Sequence, residues 1–171
     1  MKTEIYESLK KLHDKHKPQE FGKICQKLLA IAFRMEGYTH IVERGVQGVD
    51  VDAAGKDGEK YTVEVKTTLY NEVVYGKKDH EGLQKRKEDG YLPVLAVLRL
   101  NRLSDWIFAK AEKLNPGKIN IDILKIYRIN ELEEIITPSF DEAVMEHFEG
   151  TMREGQNYLD NVLRQKGVEQ R

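Results

Sequence analysis

The sequence predicts an α/β domain with a mixed central β-sheet flanked by helices and a long helix near the C-terminal end. Three observations predict it. From Phe21 to Phe33 apolar residues recur at the i, i+3, i+4, i+7, i+8 spacing of a broad buried helical stripe. Three short extended segments and a polar helix follow. Then "LPVLAVLRL" (92–100) is almost wholly apolar, as a strand is when helices cover both faces of its sheet.

The elements can be justified in order. Residues 3–16 predict a helix with Ile5, Leu9 and Leu12 on one side. Pro18 opens a second helix, because proline is tolerated in a first turn. Gly37 ends that helix as its C-cap. The extended segments are 39–43, 46–54 and 60–69, and "GKDG" (55–58) supplies the hairpin loop between the last two. Residues 79–89 predict an exposed helix with Leu83 as its main apolar residue, stopped by Gly90. "DWIFAKAEKL" fits strand or helix, and "KINIDILKIY" alternates like a strand. Residues 140–166 predict a long helix with Met145, Phe148, Met152, Leu159 and Leu163 near one face and Gly155 interrupting it. That helix would pack on the same domain or pair with a partner helix. A single domain over 1–171 is expected, with its core at about 18–100 and an extension of unassigned role at about 101–171.

Composition narrows the classes. Hydrophobic residues are 40% and charged residues 33% of 171, which describes a soluble globular chain rather than a disordered one. The net charge of -1 makes no whole-chain case for nucleic acid and leaves a local basic face open. No apolar run approaches the roughly 20 residues of a membrane span. "MKTEIYESLKKLHDKHK" has no apolar core of a signal peptide. The single cysteine, Cys25, excludes an internal disulfide, so a reducing, cytoplasmic setting is expected. The histidines are scattered and suggest no zinc site, and no P-loop or dinucleotide fingerprint occurs.

The chemistry concentrates in "GVDVDAAGKDGEKYTVEVKTT" (48–68). With a period of two, Thr62, Glu64, Lys66 and Thr68 share one strand face. Asp50 and Asp52 share a face of the preceding strand, and pairing through the turn brings one of them near Glu64. Two close carboxylates repel unless a cation lies between them, and a hard divalent ion such as Mg²⁺ suits oxygen ligands. Lys66 would point to the same side, where its charge can orient water or stabilise a phosphate. Glu64 and Lys66 also make sense as a weak surface ion pair.

Asp50, thirteen residues, then Glu64-Val65-Lys66 resembles the PD-(D/E)xK nuclease superfamily, the restriction-endonuclease-like fold. "GVQGVDVDA" resembles the Gly-x-Asp strand of its type IV restriction and archaeal Holliday-junction-resolvase branches, and "YTVEVKTT" resembles their "EVK" strand. A helix with Glu20 near its start precedes these strands, and an exposed helix and a buried strand follow. The likeness covers about 18–100, and the proline of the superfamily's name is replaced by Val49.

The resemblance implies a metal-dependent endonuclease hydrolysing phosphodiester bonds in DNA. Asp50, Glu64 and the Val65 backbone carbonyl would bind Mg²⁺, with Mn²⁺ as a substitute. Asp52 is the alternative ligand; Gly48 and the spacing favour Asp50. Lys66 would position the attacking water, and Glu20 would reach the site directly or through water. Gln84 and Lys85 on the following helix would assist. Read from the residues themselves, Lys77, Lys78, Lys85, Arg86 and Lys87 form a basic cluster that is either a solvated face or a contact to DNA phosphates. Tyr70 and Tyr75 flank the site as packing or base-stacking residues. A homodimer through the C-terminal helix would suit cutting of both strands. The competing expectation is an inactive nucleic-acid-binding or assembly module on the same fold.

Overall fold

The computed structural model describes residues 1–45, 48–55 and 57–171. Helix α1 (Thr3–Met35) is in effect two helices. Lys17 leaves helical geometry at φ 69°, ψ 161°, because the residue before Pro18 is sterically kept out of the α region. Beyond Met35 the chain turns at Gly37 (φ 87°), with the Tyr38 amide donating to the Phe33 carbonyl in a Schellman-type end.

Strands β1 (His40–Glu43), β2 (Val51–Ala54), β3 (Lys60–Thr68), β5 (Leu92–Arg99), β6 (Trp106–Lys110) and β8 (Glu169–Gln170) form one sheet, ordered β6-β5-β3-β2-β1-β8. The β3–β5 and β1–β8 pairs are parallel and the other pairs antiparallel, so the sheet is mixed. Strands β4 (Glu72–Tyr75) and β7 (Gly117–Asn120) make a separate antiparallel pair. Helices α2 (Lys77–Glu88), α3 (Ile121–Ile126), α4 (Asn130–Glu154) and α5 (Gln156–Gln165) complete the chain.

The apolar strand splits as its composition predicts. Val94, Ala96 and Leu98 of β5 join the core under α1, α4 and α5. Leu95 and Val97 join a second core with Leu83 of α2 and Leu124 of α3. β3 lies beside β5, so Val63 and Val65 face the first core, and Thr62, Glu64 and Lys66 face the α2 side.

Several expectations change. Asp50 stands just ahead of β2 rather than on it with Asp52; Val46 and Gln47 of the expected strand, and Lys56 of the "GKDG" loop, lie outside the described residues. "KINIDILKIY" is extended only through Asn120. That side chain then accepts the Asp122 amide at 2.8 Å as a helix N-cap and starts α3. The long helix begins at Asn130, ahead of Pro138, which it carries in its interior. Burial of Leu132, Ile136 and Phe140 offsets the backbone bond that proline removes. Gly155 does interrupt it: φ is 60°, and a Cβ there would lie 2.6 Å from the Glu20 carboxylate. The break lets α5 fold back onto α1. Of the predicted stripe, Leu159 and Leu163 are buried in the first core, Phe148 and Met152 pack half-buried against it, and Met145 is exposed, while Ala143 and Val144 supply the buried face of α4.

One charged group on α4 sets a pH dependence. Burial, reinforced by the charge of Asp105, pushes the Asp141 carboxyl up to about 6. The folded chain then holds this proton more tightly than the unfolded chain between the ordinary carboxylate range and about pH 6. Its contribution to stability therefore falls as pH rises through that window. Asp141→Asn should raise the thermal midpoint at pH 7 and leave it unchanged near pH 3.5, read by calorimetry at both values.

Candidate active site

The site begins where a ladder ends. β2 pairs with β3 only as far as Val51↔Val63. The next β3 amide on that side, that of Val65, would be left without a backbone acceptor. Asp50 supplies one, its Oδ2 accepting the Val65 N–H at 2.8 Å. In an antiparallel strand the N–H and C=O of one residue point to the same side, so the Val65 carbonyl opens onto this edge as well.

Asp50 and Glu64 are both buried, 9% and 6% exposed. Burial raises the Asp50 carboxyl above its ordinary range, against the lowering effect of the Val65 amide and of Lys23 and Lys66. Lys23 of α1 stands 3.8 Å from Asp50 Oδ1. Burial, then the charges of Asp50 and Asp79, push Glu64 up to about 8. Lys66 Nζ lies 3.4 Å from Glu64 Oε1 and 2.8 Å from Asp79 Oδ2. Burial alone would lower the Lys66 ammonium. The hydrogen bond to Asp79 and the surrounding carboxylates outweigh it, and the amine is held more firmly protonated than usual.

Asp79 was not among the residues singled out from the sequence. It sits in the first turn of α2, where its Oδ2 also accepts the Gly76 amide at 3.1 Å. The sequence signal was an acid three residues after a glycine at a helix start, which marks a cap and says nothing of a lysine on another strand. Lys23 was missed for a similar reason: only tertiary packing turns it toward Asp50.

Asp52 occupies different surroundings. It is 1% exposed, and Thr62 Oγ1 donates to its Oδ1 at 2.7 Å. Arg44 and Arg86 both reach its Oδ2, each at 2.9 Å. Its oxygens thus serve a clamp joining β2, β3, the loop after β1, and α2. Arg86 also meets Asp89 at 2.6 Å and lies 4.3 Å over the Tyr91 ring. Of the predicted basic cluster, Lys77, Lys78 and Lys85 are exposed, Gln84 is half-buried, and Lys87 pairs with Glu112 at 2.9 Å. Glu20 faces the start of α5, where the Gln156 amide approaches its Oε1 at 3.5 Å. An acid there favours the positive end of the α5 dipole. Tyr75 is fully buried and meets His80 Nδ1 at 3.1 Å, whereas Tyr70 is exposed.

The donor set suits a hard divalent ion. It offers two carboxylates and a carbonyl oxygen, with neither sulfur nor imidazole. Among the described residues no group of three or more His, Cys, Asp or Glu side chains is placed to hold a metal. Mg²⁺ does not require one, since it commonly binds through one or two carboxylates and keeps several waters. Among the described residues no helix is long and apolar enough to cross a membrane.

With a mixed sheet, helices on both faces and this strand pair at its centre, the fold is restriction-endonuclease-like. A solved structure similar to it is that of Hjc, a Holliday junction resolvase from the archaeal hyperthermophile Archaeoglobus fulgidus. The likeness has a TM-score of 0.55 and 17% identity over 66% of this chain and 95% of that chain. That neighbour belongs to the resolvase branch that the Gly48–Lys66 segment resembles. No family model matches the chain, and no curated protein matches it in sequence.

The clamp predicts a separation of stability from site chemistry. Asp52→Ala leaves two guanidinium groups without their shared acceptor and should destabilise the fold by about 3–5 kcal/mol, read by urea unfolding. A loss below about 1 kcal/mol would remove Asp52 from this structural role.

Proposed function

We infer that the chain is a divalent-metal-dependent endonuclease that hydrolyses phosphodiester bonds in DNA. The observation that carries this reading is the buried Asp50–Glu64 pair with Lys66 beside it. Burial raises both carboxyls, and the charges of Asp50 and Asp79 add to the rise at Glu64, so the pair is unfavourable in the protein alone. Functional sites are where such an arrangement is retained. The nuclease-type neighbour supports the same reading at the level of fold.

Asp50, Glu64 and the Val65 carbonyl would hold the ion. When bound, Mg²⁺ would neutralise phosphate charge and lower the pKa of a coordinated water. The Val65 amide keeps Asp50 turned to the open edge, which leaves Oδ1 for the ion. Lys66, protonated and steered by Asp79, would present its N–H groups to the attacking water and to a phosphate oxygen. Asp79 is thus a positioning residue. Saturation of Asp52 by Arg44, Arg86 and Thr62 favours Asp50 as the ligand. Glu20 would act at most through water, and Lys77, Lys78 and Lys85 would carry phosphate contacts. Gln84, half-buried on the same helix, would assist them. If two copies associate to cut both strands, the apolar residues that α4 leaves exposed for contact are Ile135 and Met145.

Plasmid, single-stranded and branched DNA incubated with Mg²⁺ or Mn²⁺ provide the test. Glu64→Gln, Asp50→Asn and Lys66→Ala should each cut at least 100-fold more slowly, as loss of one electrostatic contributor does elsewhere. Cleavage by wild type that persists in all three variants would reject the site. DNA binding without cleavage in any metal would favour the binding-module alternative.

A further inference from the structure

We propose that Tyr70 and the groove beside it hold an unstacked nucleobase of the DNA, so that this site acts beside unpaired nucleotides. The proposal rests on the nuclease reading above and names the class of DNA that the same site would take.

Tyr70 is 72% exposed, yet its loop is firmly braced. Thr68 Oγ1 accepts the Tyr70 N–H and donates to the Glu72 carbonyl, both at 3.0 Å. The Ile121 amide bonds to the Asn71 carbonyl at 3.0 Å, and the Leu100 amide to the Thr68 carbonyl at 2.8 Å. The backbone is thus fixed on both sides while the aromatic side chain is held out in water. Leu69 and Val74 beside it are 47% and 60% exposed, so the ring belongs to an apolar patch outside both cores.

Two depressions adjoin Tyr70 and share Thr67, Thr68 and Tyr70 as lining residues. One, about 390 Å³, reaches Lys66. The other, about 310 Å³, runs to the α1 kink and is floored by His13, Pro18 and Phe21. Its size is at the small end of ligand pockets and suits one planar group. Its walls are mainly apolar, with threonine hydroxyls and an imidazole at the margin. A nucleobase has this chemistry: two apolar faces and a polar edge. Lys66 and Tyr70 line the second depression together, so a phosphate held at Lys66 brings a neighbouring nucleotide within reach of Tyr70 and of the groove on its other side. In an unbroken duplex both faces of each base are already stacked, and only an unpaired or extruded base can lie on the ring.

The test uses the full chain without divalent metal, so that binding is read apart from cleavage. Oligonucleotides carry 2-aminopurine in a single-stranded segment, in a one-nucleotide bulge, or within an unbroken duplex. Wild type and Tyr70→Phe should quench the first two. Tyr70→Ala should lose that quenching and bind the unpaired substrates roughly 5- to 150-fold more weakly, the range that stacking of one base produces. Its affinity for unbroken duplex should be unchanged. Tyr70 is exposed, so truncation leaves the cores untouched, and circular dichroism checks this. Equal quenching by wild type and Tyr70→Ala overturns the proposal while leaving the nuclease reading to its own cleavage assay. Base quenching unchanged with an altered sedimentation coefficient would assign the patch to contact between copies of the chain and overturn it as well. Absence of binding to any of the DNAs overturns this proposal and leaves the nuclease reading to the cleavage assay with metal.

Discussion

The hydrogen bond from the Val65 amide to the Asp50 carboxylate is the constraint on which the site depends. It forms because β2 stops pairing with β3 one step too early for the backbone to satisfy that amide. A buried amide left without an acceptor would cost about 1–3 kcal/mol, so the carboxylate is drawn in to serve it. That places Asp50 against Glu64, one residue away on β3. The electrostatic tension of the site is thus a consequence of a sheet edge created inside the sheet. The parallel neighbour β5 pairs with β3 along its other side, from Tyr61 to Thr68.

Each acidic group around this edge has a distinct arrangement of charges, which determines what it can do. Asp52 meets two guanidinium groups and a hydroxyl, so its charge is balanced by Arg44 and Arg86. Asp79 meets one ammonium and a backbone amide, so both its partners are cationic or donating groups of this edge. Glu43, elsewhere on the sheet, is 1% exposed and shares Lys27 with Asp160, at 2.8 and 2.7 Å. That buried network ties α1, β1 and α5 together. Asp50 and Glu64 differ from all of these in having too little positive charge for their burial. A polar residue that breaks the rule of paired buried charge is where function is best sought.

Much of the fold was legible because it rests on local patterns. The stripe from Phe21 to Phe33, the punctuation at Pro18, Gly37 and Gly155, and the two-sided burial of 92–100 all follow from periodicity and backbone sterics. The segment 117–126 was less legible, because Ile119, Ile121 and Leu124 are all buried and satisfy strand and helix patterns alike. Asn120 decides between them by capping the helix, a single side-chain bond that alternation does not reveal. The start of the long helix was misplaced for a related reason. Pro138 signals a boundary locally, and the packing of Leu132 and Ile136 overrides it.

The same division applies to the site. Sequence alone determined that Glu64 and Lys66 share a strand face, because the side-chain period of a strand is two, and that a hairpin brings acidic residues toward them. Only the tertiary structure gives Asp50 and Asp52 different partners. The difference lies in Arg44 and Arg86, which come from another loop and another helix and converge on Asp52. It likewise brought Asp79 to Lys66, turned Lys23 toward Asp50, and aimed Glu20 at α5. Alternation is a property of one strand and can be read from consecutive residues. Which charges neutralise which depends on elements far apart in the chain, and packing around the sheet alone decides it.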